Sequence, residues 1–270
     1  MITFNLNAYT TRYEPQTAFW LAKAAMLAYE EEPAIRAQAE AWGFDRMRFF
    51  SRRETQAFIM GNNRAIAIAF RGTEQDKIID WMTDIDIELI PVTGGKVHAG
   101  FSRALTYVYP ELRATIAEFQ TQGQSLWFTG HSLGGSLATL AVAKLRFEED
   151  KPIYGLYTFG QARTGDREFE RNFNLDFKSR TFRFVNNNDV IPRVPPRSIG
   201  YSHVGTFLYF DTDGNLHSDI AWWYRLLDGI SGHMDDFLKP GADGIKDHDL
   251  ARYIAHLEKN INTYPKNLNL

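Results

Sequence analysis

Apolar residues recur at helical spacing in five parts of the chain, and short β-branched or aromatic runs lie between them. The predicted helices cover Pro15–Tyr29, Pro33–Trp42, Phe101–Gln122, Ser132–Phe147 and Asp249–Lys259. The predicted strands cover Met47–Phe50, Gln56–Met60, Ala65–Phe70, Ser125–Thr129, Ile153–Phe159, Thr181–Val185 and Thr206–Phe210. Strands that alternate with helices imply crossover connections and a largely parallel sheet. We therefore predict one α/β domain over residues 1–270, with a mostly parallel central sheet flanked by helices.

The segment Ile78–Met82 predicts a short amphipathic helix, because its apolar residues share one face and aspartates lie opposite. Such a helix either covers an apolar cleft or packs on the core. Directly after it, Ile85–Leu89 alternates apolar and acidic residues, and a period of two is typical of a half-buried strand.

Composition and charge exclude several classes of function. The 270 residues carry a formal net charge of −3, which argues against nucleic acid as a partner. Cysteine is absent, so disulfides, thiolate metal sites and cysteine nucleophiles are excluded. No segment has the pattern of a signal peptide, and none has enough consecutive apolar residues to span a membrane. We therefore expect neither a signal peptide nor a membrane-spanning helix, an expectation that does not assign the protein to a compartment.

The pentapeptide Gly130-His-Ser-Leu-Gly134 follows a predicted strand and opens a predicted helix. A tight strand-to-helix turn of this kind strains the central serine, and glycines two residues away on either side avoid a steric clash. We expect the Ser132 hydroxyl to stand exposed at the carboxyl end of the sheet as a nucleophile. The alternative is an ordinary helix start with Ser132 as its N-cap.

A serine nucleophile needs a base and a carboxylate that orients the base. Asp189 follows the predicted strand Thr181–Val185 and three asparagines, so it is the first candidate for the acid. Asp176 precedes that strand and Asp211 lies in an apparent hairpin, and both rank lower.

His248 is the first candidate for the base, because it lies in a loop just before the last predicted helix. His203 is its main competitor, whereas His256 falls inside the helix and is interpreted as a surface or packing residue. His217 and His233 also follow Asp189 in the chain.

When a serine attacks a carbonyl group, the negatively charged tetrahedral intermediate needs hydrogen-bond donors. In a strand–serine–helix architecture of this kind, they come from the residue after the nucleophile and from an earlier strand-end loop. Those residues are Leu133 and, in the turn Arg71–Thr73, Thr73. Without the serine motif, the same turn is simply one that ends a strand.

Seven short motifs occur in an order that resembles the class 3, fungal-type lipases of the α/β-hydrolase superfamily. They are Ala69–Thr73, Asp80–Asp84, Val97–Phe101, Thr129–Gly135, Thr158–Gly160, Asp189–Pro195 and Asp247–His248. The resemblance implies a Ser132–His248–Asp189 triad, an oxyanion hole from Thr73 and Leu133, and a lid near Ile78–Met82. It assigns structural roles to the motif histidines His98 and His203.

The function implied is hydrolysis of carboxylic esters, most naturally acylglycerols at a lipid–water interface, with no metal or cofactor. A short-chain esterase or a phospholipase would use the same triad. A lipid-binding protein without catalysis is a further alternative. The aromatic residues Phe101, Tyr107, Trp127 and Trp222–Trp223 are possible cleft residues, although aromatic side chains are more often core.

Overall fold

An eight-stranded mixed sheet organises the protein. The computed structural model describes residue 4 and residues 6–7, 10–218 and 242–265. In spatial order the strands are β1 (Arg46–Arg52), β2 (Thr55–Gly61), β3 (Ala65–Phe70), β6 (Ser125–His131), β7 (Gly155–Phe159), β9 (Thr181–Asn186), β11 (Thr206–Phe210) and β12 (Leu216–His217).

The five strands from β3 to β11 run parallel, and antiparallel partners occupy both edges. All residues of β3, β6, β7 and β9 are buried. Burial on both faces is expected where helices cover a parallel sheet on both sides, and it explains why β3 is apolar throughout. The predicted α/β class is confirmed.

Helices cover both faces of the sheet. Among the described residues they are α1 (Pro15–Leu27), α2 (Glu32–Ala41), α3 (Ile78–Asp84), α4 (Ala99–Phe119), α5 (Leu133–Glu149), α6 (Arg167–Phe177), α7 (Ala242–Lys246) and α8 (Leu250–Lys259). The apolar sides of α3 to α6 pack into one core, and those of α1, α2 and α8 pack into the core on the opposite face. No helix among the residues that the structure describes is long and apolar enough to cross a bilayer.

The half-buried strand predicted over Ile85–Leu89 is wrong. Residues 85–88 form no regular structure, Ile87 is 49% exposed, and the strand begins only at Leu89. The reason is long-range pairing: the carbonyl of Ile87 accepts a hydrogen bond of 3.2 Å from the Tyr201 hydroxyl instead of joining a ladder. A second, four-stranded sheet follows, in the order β10 (Tyr201–Ser202), β8 (Gly165–Asp166), β5 (Gly95–His98) and β4 (Leu89–Val92).

Helix α6 was absent from the sequence prediction, although its signal is present. Phe169, Phe173 and Phe177 recur every four residues and are all buried. The carboxylate of Asp166 caps the helix by accepting a hydrogen bond of 2.8 Å from the Phe169 amide. The spacing of the three phenylalanines, with an aspartate before them, is the pattern of a short amphipathic helix.

Candidate active site

The turn between β6 and α5 places Ser132 between the last residue of the strand and the first residue of the helix. Its backbone has φ 57° and ψ −131°, a strained conformation for a residue with a side chain. A Cβ atom on Gly130 would collide with the backbone of Gly134, and a Cβ atom on Gly134 would collide with the backbone of Phe70 at the end of β3, which explains both glycines of the motif. The predicted strained turn is therefore present. The predicted exposure is wrong, because Ser132 is fully buried.

Asp189 and His248 form a buried pair at the same end of the sheet. His248 Nδ1 lies 2.9 Å from Asp189 Oδ2 and 3.0 Å from Asp189 Oδ1. The carboxylate also accepts hydrogen bonds from the Ile191 amide, at 2.9 Å, and from the Tyr253 hydroxyl, at 2.5 Å. Since an ionised carboxylate only accepts, His248 Nδ1 carries the proton and its Nε2 is left to act as a base.

The loop that carries His248 is held against the end of β9. The side chain of Asn186 donates to the carbonyl of Asp247 at 2.9 Å. The carboxylate of Asp247 accepts from the Asn187 side chain at 2.9 Å and from the Asn188 amide at 3.2 Å. The three asparagines before Asp189 therefore dock the loop of the histidine onto the strand of the aspartate.

Strand β7 connects the serine to this pair. The Ser132 amide donates a hydrogen bond of 3.0 Å to the carbonyl of Phe159, the last residue of β7. The next residue, Gly160, has φ 57°, and a Cβ atom there would lie 2.8 Å from both Asp189 Oδ2 and His248 Nδ1. Serine, histidine and aspartate thus surround one short segment of backbone.

Ser132 Oγ and His248 Nε2 are both buried, and neither has a hydrogen-bond partner among the described residues. Buried polar atoms are nearly always paired in folded proteins, and exceptions call for an explanation. These two are the atoms that would exchange a proton in nucleophilic catalysis.

The competing candidates lie elsewhere. His203 Nε2 contacts the carbonyl of Pro192 at 2.7 Å, and burial lowers the pKa of His203 well below its ordinary value, so it is held neutral away from Asp189. Asp211 pairs with the ring of His217 at 2.8 Å, and Asp176 pairs with Arg146 at 3.1 Å.

The remaining histidines have structural contacts. The ring of His256 packs 5.4 Å from that of Phe210, and His98 Nδ1 accepts from the Phe101 amide at 3.2 Å, capping α4. His233 and Trp222–Trp223 lie outside the described residues.

The predicted oxyanion residues Thr73 and Leu133 line one cavity of about 870 Å³. Leu133 is the first residue of α5, and the first N–H groups of a helix have no partner inside the helix. Trp81 of α3, Phe101 and Tyr107 line the same cavity, whereas Trp127 is buried with its indole N–H donating to Ser125 at 2.9 Å.

The sequence did not reveal Tyr253 or His131 as parts of the site. Tyr253 lies five residues after His248 on α8 and donates to the carboxylate of Asp189. The ring of His131 packs 4.3 Å from that of His248. Burial raises the pKa of Tyr253 and lowers the pKa of His131 well below its ordinary value, so both stay neutral.

Comparison with known proteins relates this geometry to one family. The profile of the class 3 lipases matches residues 67–199, which include Ser132 and Asp189. A secreted mono- and diacylglycerol lipase of Malassezia restricta is 31% identical over 163 residues, covering 56% of this chain and 54% of that protein. A lipase of Rhizomucor miehei is 35% identical over 162 residues, covering 57% of this chain and 44% of that protein.

The fold is shared with a solved relative. The structure of Rhizomucor miehei triacylglyceride lipase superposes with a TM-score of 0.61 at 27% identity, over 72% of this chain and 79% of that one. A triacylglycerol lipase of Arabidopsis thaliana is 29% identical over 248 residues, covering 70% of this chain and 48% of that protein. The chain spans about half the length of the curated relatives it matches.

Proposed function

Because this chain belongs to the class 3 lipase family, we propose that it is a serine carboxylic-ester hydrolase that cleaves acylglycerol esters through an acyl-enzyme intermediate. One observation carries the proposal most directly. The buried Asp189–His248 pair leaves His248 Nε2 without a partner, at the end of the sheet where the strained Ser132 also has a free hydroxyl oxygen.

The proposed reaction has two acyl-transfer steps. Ser132 Oγ attacks the ester carbonyl while His248 Nε2 takes its proton, and the imidazolium then protonates the leaving alcohol. Asp189 holds the ring in the required tautomer and stabilises its charge. Water enters in the second step and attacks the acyl carbonyl while His248 takes its proton; the imidazolium then returns a proton to Ser132 Oγ as the carboxylic acid leaves.

The negative charge of each tetrahedral intermediate needs donors that are already oriented. We assign this role to Leu133, whose amide starts α5, and to Thr73, at the end of the loop that follows β3. Their place on the wall of the same cavity supports the assignment. A helix N-terminus also favours negative charge through its aligned peptide dipoles.

We assign the role of a lid to α3. Ile78 and Met82 face the core, Trp81 stacks on Phe101 with ring centroids 6.2 Å apart, and Ile79 on the outer side is 49% exposed. Since Ser132 is fully buried, an ester reaches it only after a covering segment moves. A helix that is apolar on its inner side and carries an exposed isoleucine fits movement towards a lipid surface.

Substitutions test the triad. We expect Ser132→Ala and His248→Ala to abolish hydrolysis of a p-nitrophenyl ester series in folded protein, and His203→Ala to retain it. Labelling of Ser132 by a serine-directed phosphonate is the independent measurement. A protein that is neither labelled nor active would instead be a lipid-binding member of the fold, and loss of activity in His203→Ala alone would contradict the assignment of the base.

The substrate class needs a separate comparison. We expect turnover of dispersed long-chain acylglycerol to exceed that of soluble short-chain ester, and to rise when the substrate passes its solubility limit. Activity on short-chain ester alone would make the protein an esterase. Preferential release of fatty acid from phosphatidylcholine vesicles would make it a phospholipase.

A further inference from the structure

His131, the residue before the proposed nucleophile, bridges two separate parts of the site. Its Nε2 lies 2.8 Å from the backbone carbonyl oxygen of His248, and its Nδ1 lies 2.8 Å from the hydroxyl oxygen of Tyr29. A carbonyl oxygen only accepts, so Nε2 carries the hydrogen and donates it to His248. In the neutral ring Nδ1 then accepts, and Tyr29 donates its hydroxyl proton to it.

The hydroxyl of Tyr29 in turn touches the proposed oxyanion loop. Burial raises the pKa of Tyr29, and the nearby backbone of Gly72 offsets part of this rise. A Cβ atom on Gly72 would collide with both the Tyr29 oxygen and the carbonyl of His131, so the three residues approach closely. Gly72 directly precedes Thr73.

One continuous chain of hydrogen-bonding groups follows from these contacts. It runs from Tyr29 to His131 and from His131 to the backbone of His248, and the Tyr29 end lies against the backbone of Gly72. His131 is 6% exposed. A neutral His131 ring lets each donor along these contacts face an acceptor. The ring stays neutral because burial, and to a lesser extent the neighbouring His248, lowers the pKa of His131 well below its ordinary value.

We propose that Tyr29 and His131 are positioning residues, which hold the loop of the general base and the loop of the oxyanion donor at one fixed separation. This inference rests on the proposed hydrolase function, because it assumes that His248 and the loop before Thr73 act on the same ester. Neither residue touches the substrate; each acts through backbone that carries a reacting group.

The two loops come from distant parts of the chain, after β3 and before α8, and only tertiary contacts relate them. Misplacement of a reacting group by about 1 Å costs on the order of 10²-fold in rate. Loss of the bridge therefore lowers kcat and leaves KM nearly unchanged, since substrate binding does not involve either side chain.

A double-mutant cycle tests the proposal. The variants are Tyr29→Phe, His131→Phe and their combination, with Tyr264→Phe as a matched control whose hydroxyl lies on the exposed surface. We expect each single variant to lower kcat about tenfold or more, and the double variant to lose little beyond the worse single one, because the residues act through one bridge. Effects that simply multiply would overturn the proposal.

His131→Gln is the conservative variant. A glutamine whose amide N–H takes the place of the Nε2 donor towards the His248 carbonyl has a carbon where Nδ1 accepts from Tyr29, so it keeps the first bond and loses the second. We expect it to recover part of the kcat that His131→Phe loses and to make a further Tyr29→Phe change nearly silent. A His131→Gln enzyme that is as impaired as His131→Phe, with unchanged thermal stability, would contradict a role through that bond.

A spectroscopic measurement separates this inference from the hydrolase proposal. Nitrogen-15 NMR of the imidazoles in the Ser132→Ala protein needs no turnover, and we expect His131 in the neutral Nε2–H tautomer at neutral pH. The Nδ1–H tautomer or a protonated ring would overturn the bridge while leaving the triad intact. If instead Ser132→Ala retains full activity, the hydrolase proposal fails whatever the tautomer.

Discussion

Tyr253 donates a hydrogen bond of 2.5 Å to Oδ2 of Asp189, and both side chains are fully buried. The same hydroxyl accepts a hydrogen bond of 2.9 Å from the Asn186 amide at the end of β9. Helix α8 thus supplies a second partner for Oδ2, the oxygen that His248 Nδ1 also contacts at 2.9 Å. The carboxylate cannot rotate away from His248 without breaking this contact.

We predict that Tyr253→Phe lowers kcat about tenfold and the free energy of unfolding by about 1–3 kcal/mol, because a buried charge-assisted hydrogen bond is lost. Tyr109→Phe is the matched control: its hydroxyl also donates to a carboxylate, that of Glu149 at 3.1 Å, but between α4 and α5. Ester kinetics and urea unfolding measure the two effects. Equal kcat values for both variants would show that Tyr253 does not orient Asp189.

Gly160 forms the floor beneath the Asp189–His248 pair. We predict that Gly160→Ala lowers kcat on the order of 10²-fold, because its Cβ would lie 2.8 Å from His248 Nδ1 and displace the ring. Gly200→Ala is the control, since Gly200 also has a positive φ, 98°, and an added Cβ meets nothing within 4 Å. Both changes put a side chain on a residue with positive φ, which costs about 1 kcal/mol of stability. Thermal unfolding measures this shared cost, so a further loss of activity in Gly160→Ala reports displacement of the His248 ring. Comparable activities would contradict the prediction.

Three histidines with lowered pKa values make stability depend on pH. Burial lowers the pKa of His98 to about 4 and the pKa values of His131 and His203 well below 6.5. The unfolded chain, with its histidines near 6.5, therefore binds more protons than the folded chain below that pH. Stability is full above about pH 7 and falls as the pH drops towards 4.

The expected slope is about 1.4 kcal/mol per pH unit for each such histidine. Urea unfolding between pH 7.5 and 5 measures it in a range where most carboxylates stay ionised. His203→Gln should reduce the slope by the contribution of one histidine, because the unfolded chain then takes up one proton fewer. An unfolding free energy that is constant over this range would show that the three rings protonate freely in the folded state.

The chain has no cysteine, so a cysteine introduced on the exposed outer face of α3 can be labelled selectively. We predict that an environment-sensitive fluorophore on Ile79→Cys shifts to the blue when acylglycerol emulsion is added, as the lid meets lipid. Leu175→Cys on α6, where the native leucine is 78% exposed, is the control and should not shift. Equal shifts at both positions would indicate nonspecific adsorption rather than a lid.

The sequence by itself determined the local features of the site. Gly130 is required by the backbone of Gly134 within the same turn, and Asp189 comes three residues after a buried strand, so the sequence alone could predict both as parts of the site. Gly134 makes room for the backbone of Phe70, a contact that only the folded chain shows. The Ala65–Phe70 strand was predicted with its observed bounds, because a run buried on both faces is apolar throughout.

Only the tertiary structure decided which histidine faces Asp189 and how the site is closed. The sequence ranked His248 first and left His203 as its competitor. The contacts of Asp247 with Asn187 and Asn188, about 60 residues earlier, are what bring His248 to Asp189. Contacts between distant segments likewise determine the burial of Ser132, the absence of the strand predicted before Leu89, and the bridge through His131. Steric constraints between neighbouring residues can be predicted from the local sequence, whereas burial and long-range hydrogen bonds exist only once the chain has folded.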